Sequence, residues 1–331
     1  MALPFVPSDA AMLAVQAAVV AAPRADPPGL DWLRRLGGRG WALLPLGSIV
    51  VVIAAIGAAA QTATDLTYLA LVAVPILAAL ALGWAVRGAR PVAALAVIPL
   101  FAAAWIWRTS LVGEAAAVAL SALSAVTLGI LLAALTPPSW LKVGIVLMAI
   151  GDSYLVATDL LQKPNNVLTA AHPAAGLPQL QSELFGTVQM GYGDLFIAAV
   201  LGAVLASDRG RQLQAALLTL LFAAAFDLLF FAVNELPATV PVALALIASE
   251  LWRVRAERTR RADRRSPARG SPRAGAAGGV FGAHCVSTQT AAHVARAVPG
   301  PEPTRPSPAQ AKASADPRPS RPADATPRPG M

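Results

Sequence analysis

The chain has 331 residues, 56% of them hydrophobic and 13% charged, with a mean hydropathy of +0.60. Soluble domains carry about 25% charged residues, so this composition excludes an ordinary soluble protein and points to a membrane protein with a soluble appendage. The net charge of +8 is uneven: residues 253–331 carry +10 and residues 1–252 carry −2. The lone cysteine, Cys285, excludes an intrachain disulfide and a Cys-x-x-Cys zinc site. The three histidines are scattered, so no metal centre and no cofactor is expected.

In chain order, residues 1–40 form an N-terminal segment. Its apolar run, 10–22, is about 13 residues long, short of the roughly 20 that span a bilayer. Extending it back through Leu3–Val6 gives the length but includes Asp9 and two prolines. It lacks the basic start of a signal peptide and leaves two readings open, a further span, which is preferred, or a surface-lying helix. The polar stretch 23–40 follows, with Arg24, Arg34, Arg35 and Arg39.

Eight apolar segments come next, at 41–60, 66–86, 91–107, 113–135, 139–161, 185–206, 213–233 and 237–252. Only helices and closed barrels satisfy the backbone in lipid, and no alternating strand pattern appears. The expected fold is all-α, a polytopic transmembrane bundle of eight or nine helices. Residues 41–135 hold the N-terminal helices and 136–252 the helices that carry buried acids. With 23–40 inside, the inner loops hold Arg87, Arg90, Lys142, Arg209 and Arg211, the outer ones only Arg108 and Lys163. This bias predicts a multi-pass protein of the cell membrane with its C-terminus in the cytoplasm.

The tail, 253–331, is rich in Arg, Pro and Ala and cannot bury enough apolar area to offset ordering entropy, so disorder is expected. Its basic opening lies under the last span, where it attracts anionic lipid headgroups and anchors the topology. No nucleic-acid role is read from it.

Besides Glu114 and Glu250 at segment ends, four acids fall within the apolar segments: Asp152, Asp159, Asp194 and Asp227. A charge at membrane depth costs about 2.5–3.5 kcal/mol on insertion scales and marks a functional site by default. Asp194 sits midway along 185–206, behind Gly191-Tyr192-Gly193; Asp152 sits about nine residues before the outer loop 162–183. The two acids thus lie at matching depth, roughly 13 Å below the outer surface, on consecutive helices. Held close in a low-dielectric site, they cannot both ionise and share one proton, one able to deprotonate water and the other to polarise a carbonyl. Gly191 and Gly193 allow close approach of another backbone. Pro237 and Pro241 break the opening of the last span and leave backbone able to pair with an extended substrate. Asp159 reads as interfacial, and Asp227 as an interhelical hydrogen bond or a proton relay.

Three elements, in order, resemble the presenilin and signal peptide peptidase family of intramembrane aspartyl proteases: Ile150-Gly151-Asp152, Gly191-Tyr192-Gly193-Asp194 and Leu236-Pro237-Ala238-Thr239. The resemblance covers residues 140–252. It implies a presenilin-like bundle, Asp152 and Asp194 as catalytic pair, Gly191, Gly193, Pro237, Ala238 and Thr239 around the substrate, and transmembrane peptides or proteins as substrates. The chain departs from the family at Gly151, where a Tyr is usual, and at Thr239, where the Pro-Ala-Leu motif has Leu. A prepilin-peptidase-like protease is less similar, because Leu195 and Phe196 follow the motif where that family has a Lys. A proton-coupled transporter and a non-catalytic scaffold are the rivals from other classes.

Overall fold

A computed structural model of the chain describes residues 7–58, 61–158, 160, 166–167, 170–171, 176–180, 183–231 and 236–265. These are mostly helical. The helices are α1 (Pro7–Ala21), the short α2 (Asp31–Arg35), α3 (Leu44–Ala58), α4 (Gln61–Leu80), α5 (Val97–Ile106), α6 (Leu111–Leu135), α7 (Pro138–Ala157), α8 (Tyr192–Leu205), α9 (Arg209–Asp227) and α10 (Thr239–Arg265). Tighter helical turns lead into α3 (Arg39–Leu43) and α5 (Pro91–Ala96), and a wider π turn (Ala81–Ala85) extends α4.

Four helical stretches are long and apolar enough to cross a membrane: Arg39–Gly57, Gln61–Ala85, Leu111–Leu135 and Pro138–Ala157. Pro7–Ala21, Pro91–Ile106 and Tyr192–Leu205 are shorter apolar helices. Large aliphatic side chains cover the outside, Val51, Ile98 and Leu217 each being about two-thirds exposed. An apolar exterior of this extent would drive a water-soluble protein to associate; in lipid it is the solvated surface. The protein is a membrane protein.

The centre of the bundle is α8. Leu195, Ile197, Ala198, Ala199, Val200 and Leu201 are all buried, so the helix is apolar on every side and enclosed by its neighbours. Small residues make that fit. A Cβ added at Gly129 of α6 would lie 2.8 Å from the carbonyl carbon of Ala199, and one at Gly202 would strike the Val20 carbonyl of α1. Helices α1, α6, α7, α9 and α10 all pack on α8.

Basic residues gather at one end of the bundle. Arg87 donates to Gln212 (3.0 Å) and to the Ala206 carbonyl, and Arg209 donates to the Ala21 carbonyl (2.6 Å). Lys142, Arg211 and Arg253 converge on Glu250 at 2.7–2.9 Å. Burial and the nearby Arg209 charge hold the Arg87 guanidinium below its ordinary value.

Two expectations are corrected. Residues 185–206 do not form one helix: Glu183–Phe185 (β1) and Val188–Met190 (β2) make an antiparallel hairpin, with Glu183 opposite Met190. Gly186, at φ +63°, supplies the left-handed residue of its turn, and α8 starts only at Tyr192. The hairpin is tied to α6 by the Gly186 N–H donating to Glu114 (2.7 Å), and to α1 by the Ser8 and Thr187 hydroxyls (3.4 Å). Secondly, the expected disorder does not begin at 253, because α10 continues to Arg265 with Arg253 bonded to Glu250 and Glu257. The rest of the tail lies outside the described residues.

Candidate active site

Asp194 is the third residue of α8. Its carboxylate accepts the Gly191 N–H at 3.1 Å, and Gly191 stands before the helix in extended conformation. The Gly-Tyr-Gly-Asp string is thus a helix start in which an acid satisfies a free backbone donor and meets the positive end of the helix dipole. Tyr192 fixes this start on α6 by sharing a 2.9 Å hydrogen bond with Ser124. Gly193 opens on free space: a Cβ there would have nothing within 4 Å, whereas one at Gly191 would meet the Asp194 carboxylate at 3.2 Å.

Asp152 lies on α7, five residues before its end at Ala157. Thr239 Oγ1 donates to Asp152 Oδ2 at 2.7 Å, and the Thr239 backbone N–H reaches the same carboxyl. Thr239 opens α10, so Asp152 caps that helix from a neighbouring one. Both acids therefore sit at helix N-termini, and they are close enough to repel one another. Asp194 is not mid-helix, as the sequence predicts, but in a first turn, so the pair lies near the ends of its helices. The physical reason is the hairpin, which takes up the residues that would have formed the first half of the span.

Pro237, Ala238 and Thr239 adjoin this pair, but their backbone is less free than the two prolines imply. The Pro237 carbonyl accepts from Val240 N–H (3.2 Å), and the Ala238 carbonyl accepts from Gln16 Nε2 of α1 (3.0 Å). Pro241 falls in the first turn of α10, where a missing N–H breaks no bond. At the other unusual position, a Cβ on Gly151 would lie 2.9 Å from Leu46 Cδ1 of α3, so a tyrosine there would have to displace that side chain.

Glu183 was placed at the edge of a loop by the sequence reading, yet it is the most enclosed acid of the site. It is 1% exposed, only the Ser121 hydroxyl and its own backbone N–H approach its carboxyl, neither in good hydrogen-bond geometry, and it interacts electrostatically with Asp194 and Tyr192. Burial first, and then the Asp194 charge, push its carboxyl from 4.5 up to about 8. The signal was present: Glu-Leu-Phe-Gly-Thr-Val-Gln-Met reads as two short strands about a Gly-containing turn. Asp227 ends α9 with its carboxyl beside that of Asp9 of α1, both being buried. Asp159 lies outside the described residues.

A cavity of about 480 Å³ lies at the opposite ends of α6 and α8, among Arg24, Arg34, Thr136, Leu141 and Ala203, and none of these acids lines it. Among the described residues no group of three His, Cys, Asp or Glu is arranged to hold a metal ion. No protein-family model, curated protein or solved structure matches the chain.

Proposed function

We propose that the protein is an intramembrane aspartyl endopeptidase that cuts transmembrane segments, with Asp152 and Asp194 as its catalytic pair. The observation that carries this reading is the meeting of two acids from α7 and α8, one of them held by Thr239 of α10 at 2.7 Å. Asp152 receives a hydroxyl and a backbone N–H at the start of a helix, so the negative charge of the pair rests there. It takes a proton from water as the water oxygen attacks the scissile carbonyl carbon. Asp194 holds the shared proton and donates to the carbonyl oxygen, then a proton passes to the leaving nitrogen as the C–N bond breaks. The open space beside Gly193 is where an unwound substrate backbone would lie. The gathering of basic residues at the far end supports a cytoplasmic C-terminus and an acid pair facing the other side of the cell membrane. The order of the three motifs supports a divergent relation to presenilin and signal peptide peptidase in a nine-span bundle, α1 included.

The test is cleavage of a co-expressed single-span reporter by wild type, Asp152→Asn and Asp194→Asn. Cleavage by wild type alone is expected; equal cleavage by all three overturns the reading. A second reading, proton-coupled transport, is favoured by one observation, the buried Asp9–Asp227 pair, which is not part of the peptidase site. Proton flux into vesicles that needs Asp227 and not Asp152 would select it.

A further inference from the structure

We propose that Glu183 is a positioning residue of the acid centre: a third buried carboxyl, held beside Asp194 by the β1–β2 hairpin, that keeps a proton available to the catalytic pair. This rests on the peptidase reading for its consequence, but not for the state of Glu183 itself.

A carboxylate without a cation is among the costliest groups to bury, and the Ser121 hydroxyl and the Glu183 backbone N–H offset only part of that cost, so burial favours the protonated form. A leucine or glutamine would fill the same place at lower cost, so the acid is not explained by packing. Strand pairing fixes its location, Glu183 standing opposite Met190, just before the turn into α8. The groups around it are acidic or neutral. From α8 come Asp194 and Tyr192, and α6 brings Ser121, whose hydroxyl faces the Leu180 carbonyl at 3.5 Å, and Glu114, which holds Gly186. Among the described residues no salt bridge reaches Glu183.

Asp194 is linked to a carboxyl on either side, Asp152 and Glu183, and such a row of acids with no cation loses its protons in steps that belong to the group. Negative charge in the group is favoured at Asp152, which has the Thr239 hydroxyl as donor, and a proton at the more enclosed Glu183 and its neighbour Asp194. When one proton is lost, the other remains shared between Asp194 and Glu183, and the added negative charge makes it harder to remove. The catalytic pair therefore stays singly protonated to higher pH than two acids alone would.

The experiment compares wild type, Glu183→Gln and Glu183→Asp in detergent. In the infrared spectrum at neutral pH, wild type shows a component of the buried carboxylic-acid C=O band that Glu183→Gln lacks, while the Asp194 component remains. In reporter cleavage, Glu183→Gln loses its activity at lower pH on the alkaline side, by about one unit, so that near pH 9 it retains about a tenth of the wild-type rate after normalisation in mild acid. Glu183→Asp restores part of the shift. If the infrared band is unchanged by Glu183→Gln, or if the rate falls equally at every pH, the proposal is overturned. Should wild type cleave nothing, the peptidase reading fails, while the infrared comparison still decides whether Glu183 holds a proton.

Discussion

Thr239 donates its hydroxyl to Asp152 across the gap between the last helix and α7, at 2.7 Å. The residue that departs from the Pro-Ala-Leu pattern is thus a direct partner of an acid of the proposed catalytic pair. A hydrogen bond to a charged group contributes about 1.5–3 kcal/mol. Thr239→Val, which keeps shape and removes the donor, is expected to lower the reporter cleavage rate about 10- to 100-fold, and Thr239→Ser to retain most of it. Equal rates for the valine and serine variants would separate Thr239 from the chemistry.

Asp194 has two roles that substitution can pull apart. Asn still accepts the Gly191 N–H, so Asp194→Asn is expected to melt near wild type while cleaving at least about 100-fold more slowly. Asp194→Ala removes the cap as well and should cost about 1 kcal/mol more in stability. Melting curves in detergent beside reporter assays make the distinction.

The glycines divide by what surrounds them. Gly129→Ala and Gly202→Ala would each force a Cβ into backbone of a packed neighbour, with an expected loss of about 1–3 kcal/mol. Gly193→Leu meets nothing in the folded protein, so its stability should change by less than about 0.5 kcal/mol. Its cleavage rate should nonetheless fall, because the side chain enters the space assigned to the substrate. Denaturation midpoints and KM values for the three variants test this.

Stability should depend on pH through Glu183. Its carboxyl titrates at about 8 in the fold against 4.5 when released, so the folded state holds a proton that the unfolded state has lost between these values. Stability is highest at and below pH 4.5, falls as pH rises toward 8, and levels off above. The full difference is at most about 5 kcal/mol. Glu183→Gln is expected to flatten this slope in melting temperatures measured across that window.

The Asp9–Asp227 pair gives a coupling measurement. Each single change to Asn leaves one acid beside an amide in a buried setting. A double-mutant cycle is expected to return a coupling of about 0.5–3 kcal/mol, as for groups in direct contact. Additive effects would mean that the two helices are held together by apolar packing alone.

Much of this architecture was legible because lipid leaves few choices. Most of the chain is helical as the apolar runs imply, four stretches being long enough to cross a membrane, and Arg87, Lys142, Arg209 and Arg211 converge at one end. The acids were legible too, since charge in an apolar run stands out against its surroundings. The start of α8 was not. Its preceding hairpin has strands of three residues, too short for alternation to compete with a run of apolar residues, so the hydropathy signal absorbed it. Glu183 was hidden for the same reason, as an acid beside a loop looks like a solvated one until pairing buries it. Thr239 was noticed as a mismatch, and only the approach of α7 gives that hydroxyl a partner.

The contact between Gln16 and the Ala238 carbonyl spans 222 positions of the chain. Helix α1 therefore leaves the ribosome long before the segment that presents Thr239, and steadies it afterwards. Until α10 inserts, Asp152 lacks its Thr239 donor. On the peptidase reading, a nascent chain holding both aspartates thus stays unarmed until α10 has packed.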